Sequence, residues 1–228
     1  MEKSRTRRDV AIIEQCTMSE AGLRHLLPAA GNYQFYFFKD YAAFMNALPW
    51  TPFFALIYSL SAIRAQRLAC LKVMCDMAQT HPGQQRIVLA GNDMEARLVS
   101  RFSPVTLHGI ISKTAPLERV RQQLRKWLSD KQRVNETILN LWYCSYERVL
   151  NQTEREILHY TALGYPIANI AIRLERSCKS IRAHKLSLMT KLGVDTDAGL
   201  FYAADILVQM QQTLLELADA RWHIPPRL

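Results

Sequence analysis

The sequence has no long apolar run. A bilayer-spanning helix needs about 20 consecutive apolar residues, and no stretch of the 228 residues offers them. That excludes a membrane span. The basic opening, MEKSRTRRD, is followed by only a short apolar run, Val10 to Ile13, too short for the core of a signal peptide. A cytoplasmic protein is expected. Cysteine is sparse and unpatterned: Cys16, Cys70, Cys75, Cys144 and Cys178 are odd in number and contain no C-x-x-C. That excludes a disulfide framework and the usual zinc spacings. Cys70 and Cys75 lie five apart on one expected helix and so do not share a face. The histidines (His25, His81, His108, His159, His184 and His223) form no metal-ligand spacing either, and a structural role is expected for each. Neither a metal nor a cofactor is expected. A glycine-rich phosphate loop, a G-x-S-x-G elbow and a carboxylate pair at a strand end are also missing, so the chain is expected not to be an enzyme.

Acid is in short supply as well. There are 20 Asp and Glu against 29 Lys and Arg, a formal net charge of +9 and a pI of about 9.5. Such a balance favours a polyanionic partner. The shortage is sharpest between Ser177 and Gly193, where no acid occurs. The stretch SCKSIRAHKLSLMTKLGV reads as one helix, with Ser177 as N-cap and Gly193 as its stop. Ile181, Leu188 and Leu192 fall on one stripe of it, and Lys179, Arg182, Ala183, Leu186 and Thr190 on the opposite one. The first stripe suits a core. The second suits a major groove, with cations for phosphates and guanine edges and Ala or Leu for thymine methyls. A solvated basic face is the competing reading of the helix taken alone.

The context favours the groove. Asn151 to Glu154 (NQTE) forms a capping-box start for a helix over Glu154 to Leu163, closed by Gly164. Pro166 opens a second helix, Ile167 to Leu174, at a position where proline is tolerated. A tight turn, Glu175-Arg176, leads into the basic helix. Helix, turn and basic helix make a helix-turn-helix arrangement, whose second helix reads DNA. From Leu150 to Val194 there are seven Lys or Arg against three acids, and all three acids precede the basic helix.

The run from Leu150 to Val194 resembles the LuxR/FixJ-type DNA-binding domain. The matching positions include Glu154, Glu156, Ile157, Leu158, Gly164, Ile170, Ala171, Leu174, Ser177, Lys179, Ile181, His184 and Lys191 to Val194. The resemblance implies a four-helix domain whose third helix lies in the major groove, with Lys179, Arg182 and Lys185 near DNA. One departure is Leu186, which stands where relatives often carry a base-contacting cation. The expected DNA-binding set is Ser177, Lys179, Ser180, Arg182, Ala183, His184, Lys185 and Leu186. Arg182 is expected to be the main base reader. Lys185, between the two stripes, suits a phosphate contact.

The first half alternates apolar runs with helical patterns. Strands are expected at Val10–Ile13, Tyr33–Phe38, Phe53–Tyr58, Arg86–Ala90 and Gly109–Ser112. Helices are expected at Met18–Leu27, Tyr41–Leu48, Arg64–Thr80, Met94–Phe102 and Pro116–Leu128. Five β–α units in a row predict a doubly wound, five-stranded parallel sheet with helices on both faces.

Ahead of this DNA-binding domain, such units resemble the receiver domain of response regulators. A receiver carries an acidic pair after its first strand, an aspartate ending its third, a Ser or Thr after its fourth and a lysine after its fifth. Here those positions hold Glu14 and Gln15, Ser59, Ala90 and Lys113. A serine brings no charge to Mg²⁺ and its phosphate ester is not a reactive acyl phosphate. The comparison implies a degenerate receiver, not phosphorylated by the two-component route, that keeps its fold as an interaction surface. Two segments, NDMEARLVSRFSP from Asn92 and IRAHKLSLMTKLGVDTDAGLFYAADIL from Ile181, are similar to the BglJ-type auxiliary transcription activators of enteric bacteria. That resemblance implies an activator that pairs with an Rcs-type response regulator and counters silencing by a nucleoid protein. Double-stranded DNA, that regulator and RNA polymerase are the expected partners.

The expected domains are a receiver-like domain over residues 1–128, a linker over 129–149, an all-α helix-turn-helix domain over 150–218 and a tail over 219–228. Trp142, Tyr143 and Tyr146, late in the linker, are expected to pack on the second domain. The last helix, from Thr196, carries Leu200, Phe201, Ala204, Leu207, Met210 and Leu214 as dimerisation candidates, though core packing explains its first half equally well. Two other readings stay open. One is an autonomous homodimeric regulator. The other is a small-molecule sensor whose aromatic YQFYFF segment lines a pocket.

Overall fold

The computed structural model describes residues 7–27, 32–103, 107–129 and 150–207. Two compact units are present. The expected linker past Ser129, the tail, Met210 and Leu214 lie outside the described residues.

The first unit is a five-stranded parallel sheet in the order β2-β1-β3-β4-β5. Its strands are β1 (Arg8–Ile13), β2 (Tyr33–Phe38), β3 (Ala55–Ser59), β4 (Gln85–Ala90) and β5 (Gly109–Ser112). Helices α1 (Thr17–Leu26), α2 (Tyr41–Ala47), α3 (Arg64–Thr80), α4 (Asp93–Phe102) and α5 (Leu117–Ser129) alternate with them. The central strands are apolar throughout because both of their faces are covered. Val10, Ile12, Ala55, Ile57, Ile87 and Leu89 form one core with Leu23 and Leu26 of α1 and Val120, Leu124 and Leu128 of α5. The alternate residues Ala11, Leu56, Tyr58 and Val88 are equally buried and point to the other face. Right-handed crossovers bring α2, α3 and α4 there.

The third strand starts later than expected. Pro52 has no amide to give a ladder, and Phe53 and Phe54 precede the strand. Phe53 packs instead against Tyr36, Phe38 and Phe44, with ring centroids 5.5 to 5.9 Å apart. That cluster also absorbs half of the aromatic edge strand β2, where Phe38 packs on Phe44 of α2. At the other end of β3, Ser59 belongs to the strand. Cys70 and Cys75 are both buried, since α3 is covered on a broad face.

The second unit holds α6 (Gln152–Ala162), α7 (Ile167–Arg173), α8 (Cys178–Leu192) and a helix α9 whose described part is 197–207. Asn151 and Glu154 form the capping box reciprocally: Glu154 N–H donates to the Asn151 side chain and Asn151 N–H donates to Glu154 Oε2, both at 2.9 Å. Pro166 is the N-cap of α7 rather than its first residue, and α7 ends at Arg173 with Leu174 as C-cap. The chain then turns through Glu175 at φ 52°, a left-handed conformation unusual for a residue with a Cβ. Gly193, at φ 72°, stops α8 in the conformation that favours glycine.

Leu200, Ala204 and Leu207 of α9 are buried inside this unit. As placed, their side chains are covered within the single chain. Phe201 is half-buried.

Candidate nucleic-acid interface

The basic helix is fixed from both ends. At its start the Ser177 hydroxyl accepts the Ser180 N–H at 3.2 Å, which satisfies one of the amides a helix leaves unpaired. Toward its end, Glu154 of α6 holds it. The Glu154 carboxylate is fully buried and accepts from the Ser187 hydroxyl at 2.8 Å and from Lys191 Nζ at 2.7 Å. Burial pushes the Glu154 pKa up. The bonds from Lys191, the Asn151 N–H and Ser187, with the charge of Lys191, outweigh burial and leave it below the usual carboxylate value. One side chain therefore caps α6 and clamps α8 against it.

That clamp fixes which face of α8 is free. Ile181, Leu188 and Leu192 are buried against the rest of the unit. Lys179, Arg182, Ala183, Leu186 and Thr190 are all exposed, as the helical spacing requires. Ser180 and His184 are half-buried on the flank. Lys185 is also largely covered and pairs with Asp197 of α9 at 2.6 Å. So the four cations of α8 divide. Lys185 and Lys191 are tied to carboxylates, whereas Lys179 and Arg182 have no ion pair among the described residues. Asp197 and Ser187 were invisible as participants in the sequence, because their partners lie on other turns or elements.

A second cluster forms at the carboxyl ends of the strands in the first unit, where open α/β sheets place their sites. Glu14, just after β1, is buried. Its Oε2 accepts from Lys113 Nζ at 2.8 Å and from the Ser59 hydroxyl, and its Oε1 accepts from the Cys16 N–H at 2.9 Å. Glu14, Ser59 and Lys113 thus meet, as the receiver comparison expects, but they bind one another. Ala90 is buried and contributes its carbonyl to the Lys113 N–H at 2.8 Å. Gln15 is half-buried at the margin.

Sequence reasoning missed a further ion pair, Arg67 with Glu95, both buried and 3.9 Å apart. Glu95 also accepts the Gly91 N–H at 2.5 Å. Burial raises its pKa; the Gly91 bond and the charges of Arg67 and Lys113 oppose this without cancelling it. The signal was present in α4: Glu95 stands three and four residues before Leu98 and Val99, both buried, and so lies on their stripe.

Beside the Glu14 cluster, a cleft of about 150 Å³ lies between α1 and α5, walled by Leu23, Leu26, Leu89 and Val120. The aromatic segment Tyr33–Phe38 supplies none of its lining, so the expectation that YQFYFF lines a pocket does not hold for this cleft. None of the helices among the described residues is long and apolar enough to cross a membrane.

A receiver-like parallel sheet followed by a helix-turn-helix unit with a bare basic face defines a transcription regulator of response-regulator build. Residues 148–204 match the family of bacterial regulatory proteins, luxR family. Over 214 residues the chain is 41% identical to the transcriptional activator protein BglJ of Escherichia coli strain K12, covering 92% of this chain and 95% of BglJ. It is 27% identical to the transcriptional regulatory protein RcsB of the same strain over 172 residues, which is 72% of this chain and 77% of RcsB. The structure of an RcsB–DNA complex superimposes with a TM-score of 0.68 at 25% identity, covering 89% of this chain and all of that one. The chain belongs to the luxR family of bacterial regulatory proteins, and it is a LuxR-type DNA-binding transcription regulator.

Proposed function

We propose that this chain is a transcription activator that works without phosphorylation of its own receiver-like domain and binds DNA as a heterodimer with an RcsB-type response regulator. The observation that carries the reading is the closed cluster of Glu14, Ser59 and Lys113. A phosphorylatable receiver needs an aspartate to accept the phosphoryl group and a lysine to meet it. Here a serine stands at the first position, and the lysine is neutralised by Glu14. The domain keeps the sheet and loses the chemistry, which supports a docking role. The extended similarity to BglJ, which is named as an activator, supports the activating direction.

In this reading residues 1–128 dock on the response regulator, 129–149 link, 150–218 hold DNA and 219–228 form a tail. The protein acts in the cytoplasm, and RNA polymerase is the further partner that activation implies. On DNA, Arg182 is the main base reader and Lys179 a phosphate contact, because these are the cations of the exposed face with no ion pair among the described residues. Ser177 and Ser180 fix the helix start close to the backbone, and His184 and Lys185 flank the contact.

The test is co-purification of this chain with a phosphorylatable RcsB-type regulator, followed by DNA binding of each alone and of the mixture. Tight binding of a defined site by the mixture alone supports the heterodimer. Specific binding by a dimer of this chain alone overturns it. Incubation with acetyl phosphate followed by intact-mass measurement should show no added phosphoryl group.

A further inference from the structure

Leu186 is the residue on the exposed face of α8 that the fold does not account for. It is 65% exposed, while the core stripe of the same helix (Ile181, Leu188 and Leu192) is at most 2% exposed. The core has no need of it, and a leucine in water forgoes the benefit of burial. Its neighbours on the stripe are Arg182, one turn earlier, Ala183, and Thr190, one turn later. The Thr190 hydroxyl is satisfied within the helix, donating to the Leu186 carbonyl at 3.0 Å. With Lys185 and Lys191 held by carboxylates, the outer face presents two long cations, Lys179 and Arg182, one small residue and one large apolar residue.

The edges of base pairs in the major groove carry donors, acceptors and a single kind of apolar group, the C5 methyl of thymine. We infer that Leu186 is a specificity-determining residue that reads a thymine methyl close to the base contacted by Arg182. The inference rests on α8 entering the major groove, as proposed above. A leucine gains contact with the methyl. It also penalises a cytosine or purine edge at that point, whose polar atoms it would strip of water without replacing their hydrogen bonds. Four helical residues rise about 6 Å and base pairs stack about 3.4 Å apart, so the two readers address bases no more than about two pairs apart. The recognised element therefore pairs a base with a polar edge for Arg182 and a thymine within two positions of it.

The experiment uses the full chain together with the RcsB-type regulator. Bound sequences are selected from a random duplex library with wild type, Leu186→Ala and Leu186→Lys. The wild-type site is then remade with deoxyuridine replacing thymine at one position at a time, which removes only the methyl. Wild type should lose about three- to fivefold at one thymine, in line with the burial of one methyl-sized group. Leu186→Ala should be nearly indifferent to that change and should lose its base preference there alone. Leu186→Lys should select a different base at the same position. Thymines read by the partner will affect all three proteins alike. Equal deoxyuridine effects in wild type and Leu186→Ala, or an unchanged selected sequence, overturn the assignment while leaving the groove reading intact. Enrichment of no sequence at all overturns both. Because Leu186 is exposed, thermal melts of the variants should match wild type, and a fall of several degrees would show that the residue serves the fold instead.

Discussion

The two units treat buried carboxylates and lysines in opposite ways. In the first, Glu14 turns Lys113 inward and joins it to Ser59, so that the end of the sheet where a receiver does its chemistry is closed on itself. In the second, Glu154 takes Lys191 and Ser187, and Asp197 takes Lys185, and the effect is to present what remains. Lys179 and Arg182 stay outward on a helix held rigidly behind them. The same ion-pair chemistry draws one cluster together and leaves the outer face of the other exposed. The difference lies in geometry. The members of the first cluster converge on one carboxylate, whereas a clamp on one face of a helix leaves the other face exposed.

The largest expected effect is on the clamp. Glu154→Ala removes the capping box and leaves Ser187 and Lys191 without their acceptor, at a cost of about 2–3 kcal/mol. Urea unfolding should show a lower midpoint with the loss assigned to the second unit, and DNA binding should fall with it. An unchanged midpoint would mean that the clamp is ornamental and that the comparison has no second half.

Next comes Arg182→Ala, which in the proposed reading costs about 1–3 kcal/mol of DNA affinity and relaxes preference at one base, without lowering stability. Lys179→Ala should weaken all sequences about equally and reduce the salt slope by about one. If a salt titration shows both variants losing affinity uniformly, Arg182 is not a base reader.

The closed site should answer more gently. Glu14→Gln keeps one oxygen for the Cys16 N–H but puts an NH2 donor where Ser59 and Lys113 now donate, and removes the charge facing the half-buried Lys113; it should cost about 1–2 kcal/mol. DNA affinity measured on the same protein should stay as in wild type. A parallel loss of DNA binding would show that the closed site is not silent.

Acidity separates the units by sign. Glu95 has a raised pKa, so ionising it opposes folding; as pH falls from above toward the usual carboxylate value of 4.5, its protonation relieves the first unit. Glu154 has a lowered pKa, so its contribution is complete above 4.5 and is lost as pH falls further, toward its folded value. Above 4.5 the melting curves of two variants should therefore differ from wild type with opposite sign, Glu95→Gln melting higher at neutral pH and Glu154→Gln lower; the first difference should close as pH falls toward 4.5 and the second only below it. Differences of the same sign would remove the contrast. The smallest effect is expected for Asp197→Asn. It frees Lys185 from an exposed partner, costs a few tenths of a kcal/mol in stability, and should steepen the salt dependence of DNA binding slightly.

Much of this contrast is legible in the sequence, and what is not has a common cause. Apolar runs such as Ala55–Tyr58 announce buried strands, and β2, α3 and β5 have the bounds that their patterns predict. Asn151 with Glu154, and Ser177 with Gly193, mark helix ends through local bonds that depend only on spacing. The exposed stripe of α8 follows from helical periodicity. What the pattern could not supply was the pairing of charges across elements. Glu95 lies on the stripe of Leu98 and Val99, but its partner Arg67 stands on another helix. Lys185 reads as suited to a phosphate contact, and the turn after α8 brings Asp197 beside it. The apolar stripe of α9 reads equally as core or as dimer element, because a stripe alone does not say what covers it. Phe53 joins the apolar run by composition but packs its ring in the aromatic cluster, while Phe54 still bonds through its backbone to Asp9 and Gln85 on either side.

The bond between Ser59 and Glu14 bears on what position 59 will tolerate. An aspartate there would face Glu14 across the space that the serine hydroxyl now fills, and would exchange a donor for a second carboxylate beside a single lysine. Unless a cation balanced them, one of the two carboxyl groups would take up a proton more readily than an ordinary side chain. The serine is thus matched to its buried neighbour as a donor to an acceptor, and the pocket is balanced in charge as it stands.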